Sequence, residues 1–349
     1  MSTRSRFPLV AAIVVLTVIA PAPAAPAMTV SGGAAVRVSS PASIQIAAAG
    51  DIACQSGPYP PSGSSSCQYR ATSDLLTDGG LSAVLALGDD QYDVGAYRAF
   101  LRYFDPTWGR AAEILHPVPG NHEFAQDPTA KPRGYFRYFG GAVKGPDGLG
   151  YYSFDLPAGC TPGHGVCWHV VALSSELCFA PGGCGPAADP ANPGTGNRMY
   201  AWLQQDLAVH PNASYPCTLA FWHHPLFSFS TGSGASSAVR PLWELLYRAH
   251  ADVVLNGHSH NYQRWRPQDP LGRRDHERGI REFIAGTGGA SHYALQPGTH
   301  PGNLAAAQDD AFGILRLSLR RKGYAWTWVP AAGQPSVFTD TKTVPVRCH

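Results

Sequence analysis

The stretch AVLALGDDQY, residues 83–92, joins a buried-strand pattern to a cluster of potential metal ligands. Ala83–Leu87 is a short apolar run of the kind that forms a buried β-strand. Gly88 follows at once, and a glycine lets the backbone turn sharply and approach other groups closely. Asp89 and Tyr92 then place two oxygen ligands on the same loop. The stretch therefore predicts a strand whose carboxyl end carries ligands.

Four other places in the chain repeat this arrangement. In each, a strand-like run ends at a glycine or an aromatic residue and is followed by oxygen or nitrogen ligands. These places are Gly50-Asp51, Gly120-Asn121-His122-Glu123, Trp222-His223-His224-Pro225 and Gly257-His258-Ser259-His260. A single motif of this kind is weak, because Gly-Asp is usually a turn and Asn-His is often a turn or cap pair. Five of them in order indicate one shared site.

Strand patterns alternate with helical patterns along the chain, which is typical of a layered α/β fold. Helices are predicted at Tyr97–Phe104, Arg198–Val209 and Pro241–Ala249, where apolar residues recur at three- and four-residue spacing. Strands are predicted at Ser43–Ala49, Ala83–Leu87, Leu115–Val118, Tyr151–Asp155, His169–Leu173, Thr218–Trp222, Val253–Asn256, Arg281–Ala285, Gly313–Leu319 and Tyr324–Val329. Because the carboxyl ends of strands in an open α/β sheet face one crevice, the five motifs are expected to converge.

The ligand types favour first-row transition ions over alkaline-earth ions. Carboxylate, amide and imidazole together suit zinc, manganese and iron, whereas calcium and magnesium prefer oxygen alone. The five motifs also offer more ligands than one tetrahedral ion needs, which favours two ions that share a ligand.

The order of the motifs, Gly-Asp, Gly-Asp-x-x-Tyr, Gly-Asn-His-Glu, His-His-Pro and Gly-His-x-His, resembles that of the calcineurin-like metallophosphoesterases. Tyr92 makes the chain similar to their purple acid phosphatase branch. The resemblance covers about Ile44–Arg264 and implies an α/β fold, specifically a four-layer α/β/β/α sandwich with two mixed β-sheets. It also implies seven metal ligands, with Asp51, Tyr92 and His260 on a ferric ion, Asn121, His223 and His258 on a divalent ion (zinc, manganese or iron), and Asp89 bridging both.

The mechanism that this resemblance implies is the hydrolysis of a phosphomonoester by a metal-bound hydroxide, as in an acid phosphatase. His122 would bind a substrate oxygen or protonate the leaving alkoxide, and His224 has either the same role or a structural one. A nucleophilic side chain is not required, and the sequence has no G-x-S-x-G elbow.

Two other functions are compatible with the motifs. The chain could be a phosphodiesterase or nucleotidase of the same superfamily, with two divalent ions and Tyr92 unbound. It could instead be a secreted binding protein that keeps the scaffold without turnover, although the complete ligand set argues against this.

The chain begins with a pattern typical of a signal peptide. Arg4 and Arg6 precede an apolar run, and Ala/Pro-rich A-x-A sites follow it. The predicted organisation is a signal peptide at residues 1–27, a low-complexity linker at 28–42, one metallophosphoesterase domain at 43–340 and a C-terminal tail at 341–349. We therefore expect an exported protein without an integral membrane segment after cleavage.

All eight cysteines follow the predicted leader, and an even number in an exported chain favours disulfides over metal thiolates. Cys54 with Cys67 and Cys178 with Cys184 bracket loops rich in Gly, Pro and Ser, and are predicted pairs. The other four cysteines are not assigned by the sequence.

The charge of the chain argues against nucleic acid as a partner. Of the 26 Lys and Arg residues, 24 remain without Arg4 and Arg6, and they face 24 Asp and Glu residues. Nucleic-acid binding depends on clustered basic residues, so nucleic acid is not expected as a partner. The resemblance to metallophosphoesterases implies a small phosphate ester instead.

Overall fold

The computed structural model describes residues 42–54, 67–77, 79–125, 132–141, 143–334 and 337–349. The predicted signal peptide lies outside these residues, as does all of the predicted linker except Ala42.

Thirteen strands and six α-helices lie in the described residues. The strands are β1 Ile44–Ala49, β2 Leu81–Ala86, β3 Leu115–Pro117, β4 Tyr152–Leu156, β5 Trp168–Ala172, β6 Thr218–Phe221, β7 Val253–Asn256, β8 Tyr262–Trp265, β9 Arg281–Ala285, β10 Leu304–Gln308, β11 Gly313–Arg320, β12 Gly323–Pro330 and β13 Thr341–Arg347. The helices are α1 Tyr69–Asp74, α2 Tyr97–Ala99, α3 Asn121–Phe124, α4 Arg133–Phe139, α5 Thr195–Val209 and α6 Arg240–Arg248. A π-helical turn at Phe100–Phe104 and 3-10 helices at Trp108–Ile114, Ser175–Phe179 and Ser237–Val239 complete the set.

The strands form two mixed sheets. The first has the order β13-β12-β11-β1-β2-β3, and the second has the order β10-β8-β9-β7-β6-β5-β4. Each sheet has a parallel part: β1, β2 and β3 form one side of the first sheet, and β5, β6, β7 and β9 form the middle of the second. Antiparallel strands continue the first sheet beyond β1 and flank the parallel strands of the second sheet on both sides. The five ligand motifs follow the parallel strands β1, β2, β3, β6 and β7.

The alternation of side chains along each strand produces four layers, as the resemblance implied. Ile46 and Ala48 point into the core between the two sheets, whereas Ala47 and Ala49 pack against the helical segments on the outer side of the first sheet. Successive residues of a strand face opposite sides of its sheet, so both faces of β1 are covered. In the same way the outer face of the second sheet packs against α5 and α6. The architecture is therefore an α/β/β/α sandwich.

The helix predicted at Tyr97–Phe104 starts as α2 and continues as the π-helical turn. The predicted hairpin of the last two strands is confirmed as β11 and β12, paired from Gly313–Pro330 to Arg320–Gly323. The predicted disulfides Cys54–Cys67 and Cys178–Cys184 are both present. The unassigned cysteines form Cys160–Cys167 and Cys217–Cys348.

The structure corrects the predicted C-terminal tail. Thr341–Arg347 is not separate from the sandwich, because it pairs with β12 as the edge strand β13. Cys348 is bonded to Cys217 on the other sheet, across 131 residues of sequence. Closing so long a loop restricts the unfolded chain and stabilises the fold by roughly 4–5 kcal/mol in the chain-entropy account.

Among the described residues, no helix combines the length and apolar character that crossing a membrane requires.

Candidate metal centre

All seven predicted ligands meet at the carboxyl ends of the parallel strands. Five of them form two groups of converging side chains: Asp89, His223 and His258 form the first group, and Asp51, Asp89 and His260 form the second. Within each group the ligand atoms lie within 4.8 Å of one another. Asp89 belongs to both groups.

Three of these ligand residues have strained backbone conformations. Asp51, Asp89 and His258 have φ values of 61°, 51° and 67°. Such positive values are uncommon for residues with a Cβ atom, and strain of this kind clusters at functional sites, where the surrounding structure maintains it at a cost of about 1–3 kcal/mol each. Only one other non-glycine residue in the described ranges, His250, has a positive φ. Backbone strain therefore marks the same site as the motifs.

The glycines that precede the ligands permit close packing, as predicted from the sequence. Gly88 has a φ of 87°, and a Cβ atom there would lie 2.7 Å from Nδ1 of His223. A Cβ atom at Gly120 would overlap the Asp89 carboxylate. Any side chain at either position would displace a ligand residue.

The first group surrounds the imidazole of His223. Its Nδ1 lies 2.9 Å from the Leu87 carbonyl oxygen, which can only accept, so Nδ1 is the donor. The other nitrogen, Nε2, therefore faces the centre. It lies 3.2 Å from Asp89 Oδ2, 3.2 Å from Asn121 Oδ1 and 3.2 Å from His258 Nδ1.

The second group surrounds the hydroxyl of Tyr92, whose side chain is only 7% exposed. The hydroxyl oxygen lies 3.1 Å from Asp51 Oδ1, 3.2 Å from Asp89 Oδ2 and 3.0 Å from His260 Nε2. His260 Nδ1 is 2.5 Å from the Ser291 carbonyl oxygen, so Nε2 of this imidazole also faces the centre. The hydroxyl of Tyr92 therefore faces the other candidate ligands.

Both groups fit a bound cation. Carboxylate, carbonyl and imidazole atoms at these distances direct lone pairs at one another, which is unfavourable unless a proton or a cation lies between them. In His223 and His260 a backbone carbonyl holds the distal ring nitrogen, which is the usual support of a metal-ligating histidine. The residues therefore suit a pair of metal ions that share Asp89.

Without a cation, protons would stabilise the same groups. Burial lowers the pKa of His223, but the carboxylates of Asp89 and Asp51 and the Leu87 carbonyl together raise it to about 10. Burial and the carboxylates of Asp51 and Asp89 raise the pKa of Tyr92 well above its usual range. A bound cation reverses this balance, since it favours the deprotonated ligands and its binding releases protons.

Glu123 belongs to the Gly120-Asn121-His122-Glu123 motif, but the sequence predicts no role for it. Its carboxylate accepts the backbone N–H of Gly120 at 2.8 Å and of Gln91 at 3.0 Å. These two bonds tie the loop after β3 to the loop after β2. Glu123 therefore positions two ligand loops without facing the centre.

His122 lies beside the centre without belonging to either ligand group. Its Nδ1 donates to the carbonyl oxygen of Asp93 at 2.6 Å. Its Nε2 lies 3.8 Å from Asp89 Oδ2, and its ring is 4.2 Å from that of Tyr92. The side chain is 29% exposed, so Nε2 can reach a substrate from solvent.

His224 is buried behind the ligands. Its Nδ1 lies 3.1 Å from Ser175 Oγ and 3.0 Å from Glu176 Oε1, and its ring is 3.9 Å from the ring of His258. Burial and the two neighbouring imidazoles hold its pKa well below the usual range. This environment favours a neutral residue that positions His258. Ser175 and Glu176 belong to no motif from which their contacts with His224 could have been predicted.

A second cluster of histidines and carboxylates has a different character. His169 Nδ1 lies 3.1 Å from Asp155 Oδ1, and its Nε2 lies 2.8 Å from Asp206 Oδ2. Both nitrogens of His169 therefore lie within hydrogen-bonding distance of a carboxylate. This cluster is a hydrogen-bonded link between β5 and α5.

Comparison with known proteins agrees with the motifs. The model of the family described as "Calcineurin-like phosphoesterase" matches residues 44–262. Purple acid phosphatase 22 of Arabidopsis thaliana is 26% identical over 300 residues, which cover 78% of this chain and 62% of that protein. Purple acid phosphatase 21 of the same plant is 27% identical over 75% of this chain and 59% of its own length. The chain thus spans about three-fifths of these relatives.

Solved structures share the fold. A purple acid phosphatase from yellow lupin (Lupinus luteus) seeds aligns over 86% of this chain and 53% of its own, with 16% identity and a TM-score of 0.63. GAP50, described as the anchor in the inner membrane complex of Plasmodium, aligns over 88% of this chain and 90% of its own, with 13% identity and a TM-score of 0.57. The family match covers more than half of the sequence, so the chain belongs to the calcineurin-like phosphoesterase family and resembles its purple acid phosphatases.

Proposed function

We propose that the chain is an exported, two-metal phosphohydrolase that cleaves phosphomonoesters in the manner of an acid phosphatase. The observation that carries this proposal is the pair of inward-facing ligand groups that share Asp89. Two bound cations would supply an activated water and neutralise the charge that develops on the phosphoryl group. The similarity to purple acid phosphatases supports a phosphoester as the substrate.

The residues of the chain would orient the reaction around this centre. Asn121, His223 and His258 would hold the divalent ion, and Asp51, Tyr92 and His260 would hold the ferric ion. His122, exposed at the edge of the centre, would bind a phosphoryl oxygen and deliver a proton to the departing oxygen through Nε2. The buried His224 would keep the ring of His258 in place.

Hydrolysis of matched esters tests the reaction class. We expect kcat/KM for 4-nitrophenyl phosphate to exceed that for bis(4-nitrophenyl) phosphate, because a dianionic monoester can engage both cations. The reverse order would favour the phosphodiesterase alternative. No hydrolysis of either ester by fully metallated protein would favour the non-catalytic alternative.

Tyr92 distinguishes an iron-containing centre from two divalent ions. A phenolate on ferric iron should absorb broadly in the visible range, and Tyr92→Phe should abolish this absorption because it removes only the oxygen. Activity should fall less than after loss of the bridging Asp89, since six ligands remain. The matched control is Tyr247→Phe, whose hydroxyl bonds Asp275 on the surface. A colourless iron-loaded protein, or an unchanged spectrum in Tyr92→Phe, would rule out the ferric assignment.

Export is supported by the four disulfides and by the N-terminal pattern of residues 1–27. Disulfides persist in oxidising compartments outside the cytosol. The mature chain is expected to begin between about Ala25 and Thr29 after cleavage at an A-x-A site. N-terminal sequencing of secreted protein that still carried Met1 would contradict this part of the proposal.

A further inference from the structure

A groove of about 910 Å³ is lined by residues of α3, α4, α5 and the 3-10 helix Ser175–Phe179. Its apolar lining includes Phe124, Phe136, Leu149 and Leu177, each less than 10% exposed. Ligand sites commonly have such a volume, an apolar lining and a few polar groups that orient the ligand. The groove is therefore large enough for an organic group of one or two rings.

The rim of the groove is cationic. Four basic side chains line it: Arg133, Arg137, Lys144 and Arg198. The guanidinium of Arg137 lies 4.0 Å from the ring centroid of Tyr97, and Nε of Arg198 lies 4.0 Å from Asp147 Oδ2. Arg133 and Lys144 are exposed and make no ion pair with any residue in the described ranges. These two charges are therefore available to a ligand.

One acidic side chain lines the groove, and it does not cancel this charge. Burial raises the pKa of Glu176 to about 7, so the side chain is largely protonated in acidic solution. The first turn of α5, from Thr195, also faces the groove, and the amino end of a helix adds a partial positive charge. The groove as a whole suits an anion.

Two segments that line the groove also lie next to the metal centre. Glu176 lines the groove and lies 3.0 Å from Nδ1 of His224, whose ring packs on the candidate ligand His258. On the other side, Phe124 ends α3, the helix that begins with Asn121 and His122. An ester with its phosphoryl group on the metals could therefore extend its organic part into the groove.

From this arrangement we propose that the groove binds the leaving group of the substrate, and that it selects an apolar leaving group with a negative charge of its own. The apolar lining takes the body of the leaving group, while Arg133 and Lys144 bind the distal anion. This proposal rests on the proposed function, because it names the substrate class of the same site. It assigns a function to Arg133 and Lys144, which lie outside the candidate ligand groups.

A matched pair of esters tests the selection, namely 2-naphthyl phosphate and 6-sulfo-2-naphthyl phosphate, which differ by one distal charge. Wild-type protein should have the higher kcat/KM for the sulfonated ester. Arg133→Ala/Lys144→Ala should lower that value by roughly tenfold, as expected for two partly exposed ion pairs. The effect should lie mainly in KM, and kcat/KM for the ester without the sulfonate should change by less than about twofold.

The matched control is Arg320→Ala/Lys322→Ala, which also removes one exposed arginine and one exposed lysine. These residues flank the β11–β12 turn, beside the start of β1 and away from the carboxyl ends that carry the ligands. The control should behave as wild type with both esters. Equal losses for the two esters, or equal losses in both double variants, would overturn the proposal.

Direct binding separates this proposal from the proposed function. Fluorescence titration with 6-hydroxy-2-naphthalenesulfonate, which has no phosphate, requires no turnover. Binding by wild type and by the control, but weaker binding by Arg133→Ala/Lys144→Ala, would support the groove even if no ester were hydrolysed. Hydrolysis of both esters with no difference in sulfonate binding among the three proteins would overturn the groove assignment and leave the phosphohydrolase intact.

Discussion

Replacement of Asp89 by alanine is expected to remove both metal ions and to lower kcat/KM by at least about 10³-fold. Asp89 Oδ2 lies 3.2 Å from His223 Nε2 and 3.2 Å from the Tyr92 hydroxyl oxygen, so the two ligand groups share this one oxygen. Its other oxygen accepts the backbone N–H of His122 at 2.9 Å. Removing the Asp89 carboxylate therefore affects both proposed metal sites. A loss of about 4 kcal/mol of transition-state charge stabilisation corresponds to about three powers of ten in rate.

Metal analysis and kinetics on the same preparation would check this expectation. Asp89→Asn is the conservative companion, because it keeps the shape of the side chain and removes only its charge. Asp189→Ala is the control, since that carboxylate merely accepts the Ala191 N–H on an exposed loop. If Asp89→Ala kept two ions per chain and wild-type turnover, the shared-ligand centre would have to be abandoned.

His122→Ala should have the second-largest effect, and its metal content should stay that of the wild type. Asn121 already supplies the candidate ligand at this strand end, whereas His122 is anchored on Asp93 through Nδ1 and belongs to neither ligand group. Loss of a general acid typically lowers turnover by about 10²–10⁴-fold. The loss should be largest for alkyl phosphates, whose leaving oxygen needs a proton, and smaller for an activated aryl phosphate such as 4-nitrophenyl phosphate.

The comparison between alkyl and aryl esters decides the role of His122. Equal losses for both esters would show that the imidazole positions the phosphoryl group instead of protonating the leaving group. His276→Ala is a suitable control, because His276 is exposed and contacts only Arg274 among the described residues. A loss of metal in His122→Ala would contradict its place outside the ligand groups.

The sequence allowed the prediction of the ligand positions because their signal is local. A parallel strand buried on both faces has a short apolar run, and the polar residues after it lie at the edge where strands converge. Ala83–Leu87 with Asp89, and Val253–Asn256 with His258, are of this kind. The left-handed backbone at Asp89 and His258 was not predicted, since the strain becomes visible only in the folded chain.

Other elements have no local sequence pattern that would predict them. Strand β13 is almost entirely exposed and contains Pro345, so it lacks the alternation that identifies a half-buried strand. Strands β8 and β10 each have five residues or fewer and form the antiparallel edge of the second sheet. Glu176 lies beside His224 because the 3-10 helix Ser175–Phe179 follows β5, which pairs with β6, the strand that precedes His224. Such contacts arise from tertiary packing.

The most direct test is the metal content of purified wild-type protein, measured together with its visible absorption spectrum. The proposed centre predicts two ions per chain, one of them iron, and a broad visible band that depends on Tyr92. Two divalent ions in a colourless protein would agree with Asp89 as a shared ligand and would exclude only the ferric assignment. A fully active preparation with one ion per chain, or with none, would contradict the two-metal account.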